Sequence, residues 1–255
     1  RSWPMPPNRR PILILGGTPE ARALALTLEA RRPGPVWYSL AGVAETTGPV
    51  PRLTRSGGFG GPQGFSRFLA EQGIGVVIDA THPYAAVMPQ TAAEICAARG
   101  LPRLRFVRPA WMPEKGDRWI TVRDAAEAAS WVRAAKLSAM FLAAGPRESE
   151  TLALQLPETQ CFARVLSNGA APRGCEVIVA KPPYTQIGDR ALLGRIGAKA
   201  VYAKNAGGMG AYGKIAAARD LGLPVILLSR PESPPGPLVD NRDAAQAWLA
   251  GLGQT

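Results

Sequence analysis

Ile12–Ala21 reads ILILGGTPEA. The apolar run Pro11–Leu15 predicts a buried strand, and Gly16 and Gly17 predict a turn. From Pro19 to Arg31 the spacing becomes helical, with Ala21, Leu24, Ala25 and Leu28 on one face. A strand that runs through two glycines into a helix lets the backbone approach a phosphate, with helix N–H groups aimed at it. Thr18 can cap that helix or bond a phosphate oxygen. The turn lacks the full GxGxxG pattern, so a plain structural turn stays open at this point.

Outward from this unit the alternation repeats. Strands are expected at Val36–Leu40, Val76–Asp79 and Leu104–Val107, and helices at Phe65–Gln72 and Ala92–Arg99, the latter stopped by Gly100. Arg108–Asp117, RPAWMPEKGD, breaks the pattern and reads as a linker. Beyond it, strands are expected at Trp119–Val122, Ala139–Ala143, Cys161–Val165, Val177–Val179, Ala200–Ala203 and Val225–Leu228. Helices are expected at Ala125–Ala135, Asp189–Ile196, Ile215–Leu221 and Asp243–Leu249. Such a βαβα series predicts an α/β fold of mainly parallel sheets covered by helices on both faces. Two lobes, residues 1–113 and 114–255, with a cleft between them, are the economical division.

The chain has 255 residues, 46% of them hydrophobic and 19% charged, which suits a globular enzyme rather than a disordered chain. No apolar run is long enough to cross a bilayer. The opening segment, Arg1–Arg10, is polar and proline-rich, lacks the centre of a signal peptide, and is expected to be a disordered lead-in. A cytoplasmic monomer is expected. Cys96, Cys161 and Cys175 form no CxxC pair, and one histidine is too few for a usual zinc site, so no metal is expected. The net charge of +11 fits a solvated basic surface or attraction of a polyanion, whether dinucleotide phosphate or polycarboxylate.

Five further stretches can carry chemistry. The second strand ends in Ser39, Leu40, Ala41 and Gly42, with no acid before Glu45, and Arg52 and Arg55 follow. NAD sites place a carboxylate there for the ribose. A hydroxyl with nearby cations favours the 2′-phosphate of NADP. Ser56–Gly61, SGGFGG, is either a flexible turn or a loop of unusual backbone angles close to a ligand, anchored by Phe59. Val76–Ala85, VVIDATHPYA, puts Asp79, Thr81, the single histidine His82, Pro83 and Tyr84 at a strand's carboxyl end, where open α/β sheets bind ligands. His82 can bond a phosphate or ribose, supply a proton, or be structural. Val201–Ala218 is another strand and glycine-rich loop, carrying Lys204, Asn205, Gly207, Gly208 and Lys214, which together suit an anion. Arg105 and Arg108 flank a strand end before Trp111 and can hold carboxylates or make structural salt bridges.

In order, GGTPEA, SLAG, GGFGG, DATHPYA, the Leu104–Trp111 segment and KNAGG followed by Lys214 resemble the precorrin-6A reductase family, including its cobalt-precorrin members. The likeness spans Ile12–Pro231. It departs from the family pattern at Tyr84, often Phe, at Ala203 and Ala206, where hydroxyls are usual, and at Val43, where some members have Arg. The resemblance implies two Rossmann-like lobes and NADPH-dependent reduction of a macrocycle double bond of precorrin-6A to precorrin-6B, or of its cobalt form. It implies cofactor contacts from Gly16, Gly17, Thr18, Glu20, Ser39, Gly42, Gly57, Gly58, Phe59, Gly60, Thr81, His82 and Pro83. Arg105, Arg108, Lys204, Asn205, Gly207, Gly208 and Lys214 would meet the carboxylates of the tetrapyrrole, with His82 or Tyr84 as proton donor unless solvent serves. Two rivals stand beside this reading. A nucleotide-sugar or phosphoryl-transfer enzyme lacks a P-loop here, and a basic nucleic-acid binder lacks a recognition signature.

Overall fold

The computed structural model describes residues 9–42, 48–167, 169, 171–181 and 183–253. Most of the opening segment, Val43 and Glu45 lie outside the described residues. The first elements are β1 (Ile12–Leu15), α1 (Pro19–Arg31), β2 (Val36–Leu40), β3 (Leu53–Ser56), α2 (Gly61–Glu71), β4 (Val76–Asp79), α3 (Val87–Ala98) and β5 (Arg103–Phe106). Then come β6 (Trp119–Val122), α4 (Ala125–Ala134), β7 (Ala139–Ala143), α5 (Pro146–Ala153), β8 (Gln160–Val165), β9 (Glu176–Val179), α6 (Gln186–Arg195), β10 (Ala200–Lys204), α7 (Gly213–Asp220) and β11 (Val225–Leu228). The chain closes with β12 (Leu238–Val239) and α8 (Arg242–Gly251).

The chain divides into two compact units, one holding the residues up to Arg108 and from Pro231 onward, the other Pro109–Arg230. Each contains one six-stranded sheet, ordered β12-β5-β4-β1-β2-β3 in the first and β6-β11-β10-β7-β8-β9 in the second. Every pairing is parallel. The α/β class and the parallel sheets are as the alternation predicted, and both sheets are doubly wound. The division differs from the expected 113/114 boundary, because residues from Pro231 onward rejoin the first unit. There Leu238 and Val239 pair with Arg105 and Phe106, and α8 buries Ala245 and Leu249 in the first core.

Strand alternation builds a core on each face of each sheet. Ile12 and Ile14 of β1 pack with Ala21, Leu24, Ala25 and Leu28 of α1 and with α8, while Leu13 and Leu15 face Phe65 and Leu69 of α2 and Ala92 and Cys96 of α3. In the second unit Met140 and Leu142 of β7 meet α4 and α5, and Phe141 meets Leu193 of α6 and Ile215, Ala217 and Ala218 of α7. Polar caps fix the helix starts. Thr18, Asp124, Thr185 and Asn241 accept N–H groups of Ala21, Glu127, Gly188 and Ala244. Among the described residues no helix is long and apolar enough to cross a membrane.

Candidate functional site

The carboxyl ends of β1, β2, β3 and β4 meet at one edge of the first sheet. Backbone bonds tie their loops together: Gly16 N–H donates to Ser39 O (2.8 Å), Gly57 N–H to Leu40 O (2.9 Å) and Ala80 N–H to Leu15 O (2.9 Å). Gly16 is required by close approach, since a Cβ there would lie 2.2 Å from the Tyr38 ring. In the loop after β3, Gly57, Gly60 and Gly61 have φ of +101°, +80° and +82°, angles that L side chains resist. Phe59 is anchored edge-on against Phe65 and Phe68, at 4.9 and 5.2 Å between ring centres.

These turns enclose a cavity of about 480 Å³. Gly16, Gly17, Ser39, Gly42, Gly57, Gly58, Phe59, Thr81 and His82, all expected to meet the cofactor, line it. The size and the mainly apolar wall suit a cofactor site. Arg55 lies beside it in β3. Its Nη1 donates to Ser39 Oγ (2.8 Å) and Gly57 O (2.9 Å), its Nη2 to Gly58 O (2.8 Å), and its guanidinium stacks 4.0 Å over the Phe59 ring.

Four expected cofactor residues stand apart from the wall. Thr18 is a helix cap, accepting from Ala21 N–H (3.1 Å) and donating to Ala80 O (3.3 Å). Pro19 has no N–H, so the start of α1 offers a phosphate less than its sequence suggested. Glu20 forms an ion pair with Arg108 (2.9 Å). Gly60 caps α2, and Pro83 is buried within its turn.

Beneath the β4 turn lies a buried ion pair. Asp79 is wholly buried and Arg105 is 2% exposed, and Arg105 Nη1 donates to Asp79 Oδ1 at 2.8 Å. The same Nη1 reaches Thr81 Oγ1 (3.0 Å) and Thr81 O (3.3 Å), and Nη2 lies 3.5 Å from His82 O. Thr81 N–H and hydroxyl also donate to Asp79 Oδ1, at 3.2 and 2.8 Å. Burial lowers the pKa of Arg105, opposed by the charge of Asp79. Arg105 is therefore a brace behind the cavity, a correction to its expected role with substrate carboxylates. His82 Nδ1 accepts the N–H of Tyr84 at 3.2 Å. The Tyr84 side chain does not line the cavity; its ring centre is 5.9 Å from that of His82.

In the second unit the loop after β10 is engaged with its own chain. Asn205 Oδ1 accepts from Trp111 N–H (2.8 Å), and Asn205 Nδ2 donates to Trp111 O (3.1 Å). Trp111 Nε1 donates to Gly208 O (2.7 Å), and a Cβ on Gly207 would strike Pro109 O at 2.0 Å. Lys204 pairs with Glu148 at 2.8 Å. Lys214 is 3% exposed; its Nζ donates to Ala211 O (2.5 Å) and sits 5.1 Å from the Trp111 ring centre. Burial, then the charge of Arg164, pulls its pKa from 10.5 down to about 7, against the pull of Asp189. Where an anion site was expected from Lys204, Asn205, Gly207, Gly208 and Lys214, the structure has a loop clasped on Trp111, with half-buried Lys204 paired to Glu148 and Lys214 buried.

A family model described as precorrin-6x reductase CbiJ/CobK matches residues 11–250. The chain belongs to this reductase family. It is 39% identical over 249 residues to a precorrin-6A reductase of Rhodobacter capsulatus, covering 96% of this chain and 97% of that one. A cobalt-precorrin-6A reductase of Methanothermobacter thermautotrophicus is 30% identical over 237 residues, covering 87% of this chain and 76% of that one. A solved structure titled CobK precorrin-6A reductase superposes with a TM-score of 0.86 at 38% identity, covering 96% of this chain and 98% of that one.

Within this family member, sequence reasoning missed part of the cavity wall. Ala85, Val87, Met88 and Thr91, around the start of α3, and Gly61, Pro62 and Phe65 of α2 also line it. Val87 is 81% exposed, and an apolar residue so exposed at a cavity mouth is a signal that only the structure supplies. Among the described residues no cluster of His, Cys, Asp or Glu could hold a metal ion. Burial raises the Cys96 and Cys161 thiols to about 11 and about 12, so neither is a reactive thiolate at neutral pH.

Proposed function

We propose that this reductase binds NADPH in the cavity of the first unit and adds hydride to a macrocycle double bond of precorrin-6A, giving precorrin-6B in cobalamin biosynthesis. The observation that carries the cofactor reading is the pairing of Ser39 with Arg55 at the ends of β2 and β3, where strand register sets them side by side. An NAD site would put a carboxylate at this position to meet two ribose hydroxyls. A hydroxyl and a guanidinium suit a 2′-phosphate. Gly16, Gly17, Gly57 and Gly58 let the backbone come close to the dinucleotide, and Leu40, Val87 and Met88 give it apolar walls. Bound there, the nicotinamide would supply the hydride. The protein's part is to hold the dinucleotide and exclude water from its reactive end. The net charge of +11 favours the approach of a polycarboxylate.

The test is NADPH oxidation by the purified chain with metal-free precorrin-6A, run beside NADH and beside the cobalt macrocycle. NADPH consumption with a matching change in macrocycle absorption, faster than with NADH, is the expected result. A faster reaction with the cobalt form would move the enzyme to the cobalt branch, and equal use of NADH would end the assignment of Ser39 and Arg55 to a 2′-phosphate.

A further inference from the structure

We propose that His82 serves the dinucleotide as a neutral hydrogen-bond donor through Nε2–H and is not the acid of the reduction. The inference rests on the cavity of the first unit being the cofactor site. His82 lines that cavity, half-buried, on the turn that follows β4. Its Nδ1 accepts the N–H of Tyr84 at 3.2 Å. A ring nitrogen that accepts an N–H carries no proton itself, so the neutral ring bears its proton on Nε2. To become an imidazolium the ring would set a second N–H against that of Tyr84 and lose the bond. The turn resists such movement: Ala85 N–H donates to His82 O at 2.8 Å, and Thr81 is fixed from both Asp79 and Arg105.

Among the described residues, charged groups packed under the turn include Arg105 from β5 and Asp79 from β4, and Tyr84 adds a phenol on the turn itself. Arg105 opposes a second positive charge beside it. Asp79 would favour one, but its Oδ1 is already bound by Arg105 and twice by Thr81. Asp79 Oδ2 is buried with no hydrogen-bond partner among the described residues, His82 included, so the one charge of the carboxylate is balanced by Arg105 and not by the imidazole. This gives Asp79 and Arg105 a positioning role, since they act on the ligand only through Thr81 and His82.

The reduction balances without a proton from His82. One carbon of the double bond takes hydride as NADPH is oxidised to NADP⁺, and its neighbour takes a proton from water, leaving hydroxide to the buffer. The ring ends the cycle in the protonation state in which it began. Its contribution is a bond to an acceptor oxygen of the cofactor, worth about tenfold in affinity.

His82 is the only histidine of the chain, so its ring nitrogens can be read in the full-length protein without assignment. Long-range ¹H–¹⁵N spectra at about pH 7.5 should show Nδ1 unprotonated and Nε2 protonated. Saturating NADPH should slow exchange of the Nε2 proton with water. His82→Ala should weaken NADPH binding about tenfold. His82→Gln, whose amide can offer an N–H near the Nε2 position, should restore most of that loss. A proton on Nδ1, an imidazolium in the NADPH complex, or a His82→Gln variant no better than His82→Ala would overturn the proposal. If the wild-type chain fails to bind NADPH, the cofactor reading fails with it, an outcome distinct from NADPH bound beside a wrongly protonated ring.

Discussion

The two units share the winding of five strands, and their glycine-rich turns are finished in opposite ways. The sixth, edge strand comes last in the first unit (β12) and first in the second (β6). In both, six parallel strands are ordered so that the central strands, β1 and β4 in one, β7 and β10 in the other, run into loops and helices. At this edge of the first unit, the glycines line a cavity. In the second, the glycine-rich loop after β10 closes on Trp111, and Lys204 finds Glu148. A glycine-rich turn after a buried strand is common to both places. The difference is the partner: the second loop has an aromatic residue and a carboxylate from its own unit to satisfy it. A strand–glycine–helix sequence is a place where backbone can approach something, and what it approaches is decided by residues far along the chain.

The largest effect should come from the buried pair beneath the first unit's turn. Arg105→Met leaves the wholly buried Asp79 carboxylate without its cation. Removing one partner of such a pair costs about 3–5 kcal/mol. Urea unfolding should show that loss, and NADPH affinity should fall with it because Thr81 and His82 lose their brace. Asp79→Leu combined with Arg105→Met should recover part of the stability and none of the affinity. Full recovery of both would mean the pair has no positioning role.

The second unit's buried cation should behave in the opposite sense. The folded-state pKa of Lys214 is about 7, against 10.5 for an ordinary lysine. Between those values the unfolded chain holds a proton that the folded chain has lost, so stability rises with pH across that window. Below it the full cost of burying Lys214 is present. Lys214→Met keeps the apolar stem and removes the charge. It should stabilise the protein by about 2–4 kcal/mol near neutral pH, with the gain shrinking as pH climbs toward the lysine range. Unfolding at three pH values checks this; a gain constant with pH would show that Lys214 does not titrate there.

A smaller effect separates the two loops directly. Asn205→Ala removes both bonds to the Trp111 backbone, 2.8 and 3.1 Å long. The expected loss is about 2 kcal/mol of stability, with NADPH affinity unchanged. A drop in affinity equal to that of a first-unit variant would undo the contrast between the units.

Much of this was legible from sequence. Fully buried strands such as Ile12–Leu15 and Ala139–Ala143 are apolar runs, and α1 carries its cap and its apolar stripe in plain view. The elements missed lack such signals. Leu53–Ser56, LTRS, is half exposed at a sheet edge, and Pro146–Ala153, PRESETLA, buries only Ser149, Leu152 and Ala153. Leu238–Val239 is two residues long and is a strand only because Arg105 and Phe106 offer it an edge. That non-local pairing is why the boundary of the first unit could not be read from residues near it. The site divides similarly: the glycine turns declared themselves locally, whereas the roles of Arg105 and Lys214 depend on Asp79 and Trp111, distant in sequence.

The smallest expected effect bears on which dinucleotide the first unit takes. Arg55 spends three N–H groups on Ser39 Oγ, Gly57 O and Gly58 O. A guanidinium has five, so two can still meet a phosphate. Arg55→Gln removes the charge while leaving an amide to bond the loop. If Arg55 reads the 2′-phosphate, NADPH affinity should fall about tenfold, or about 1.4 kcal/mol, while NADH affinity holds. If it only braces the loop over Phe59, both dinucleotides should weaken together, because the glycine turn that each needs would loosen. Titrations of the variant with NADPH and NADH therefore distinguish a reader from a brace, and a ratio unchanged from wild type would assign the NADPH preference to some residue other than Arg55.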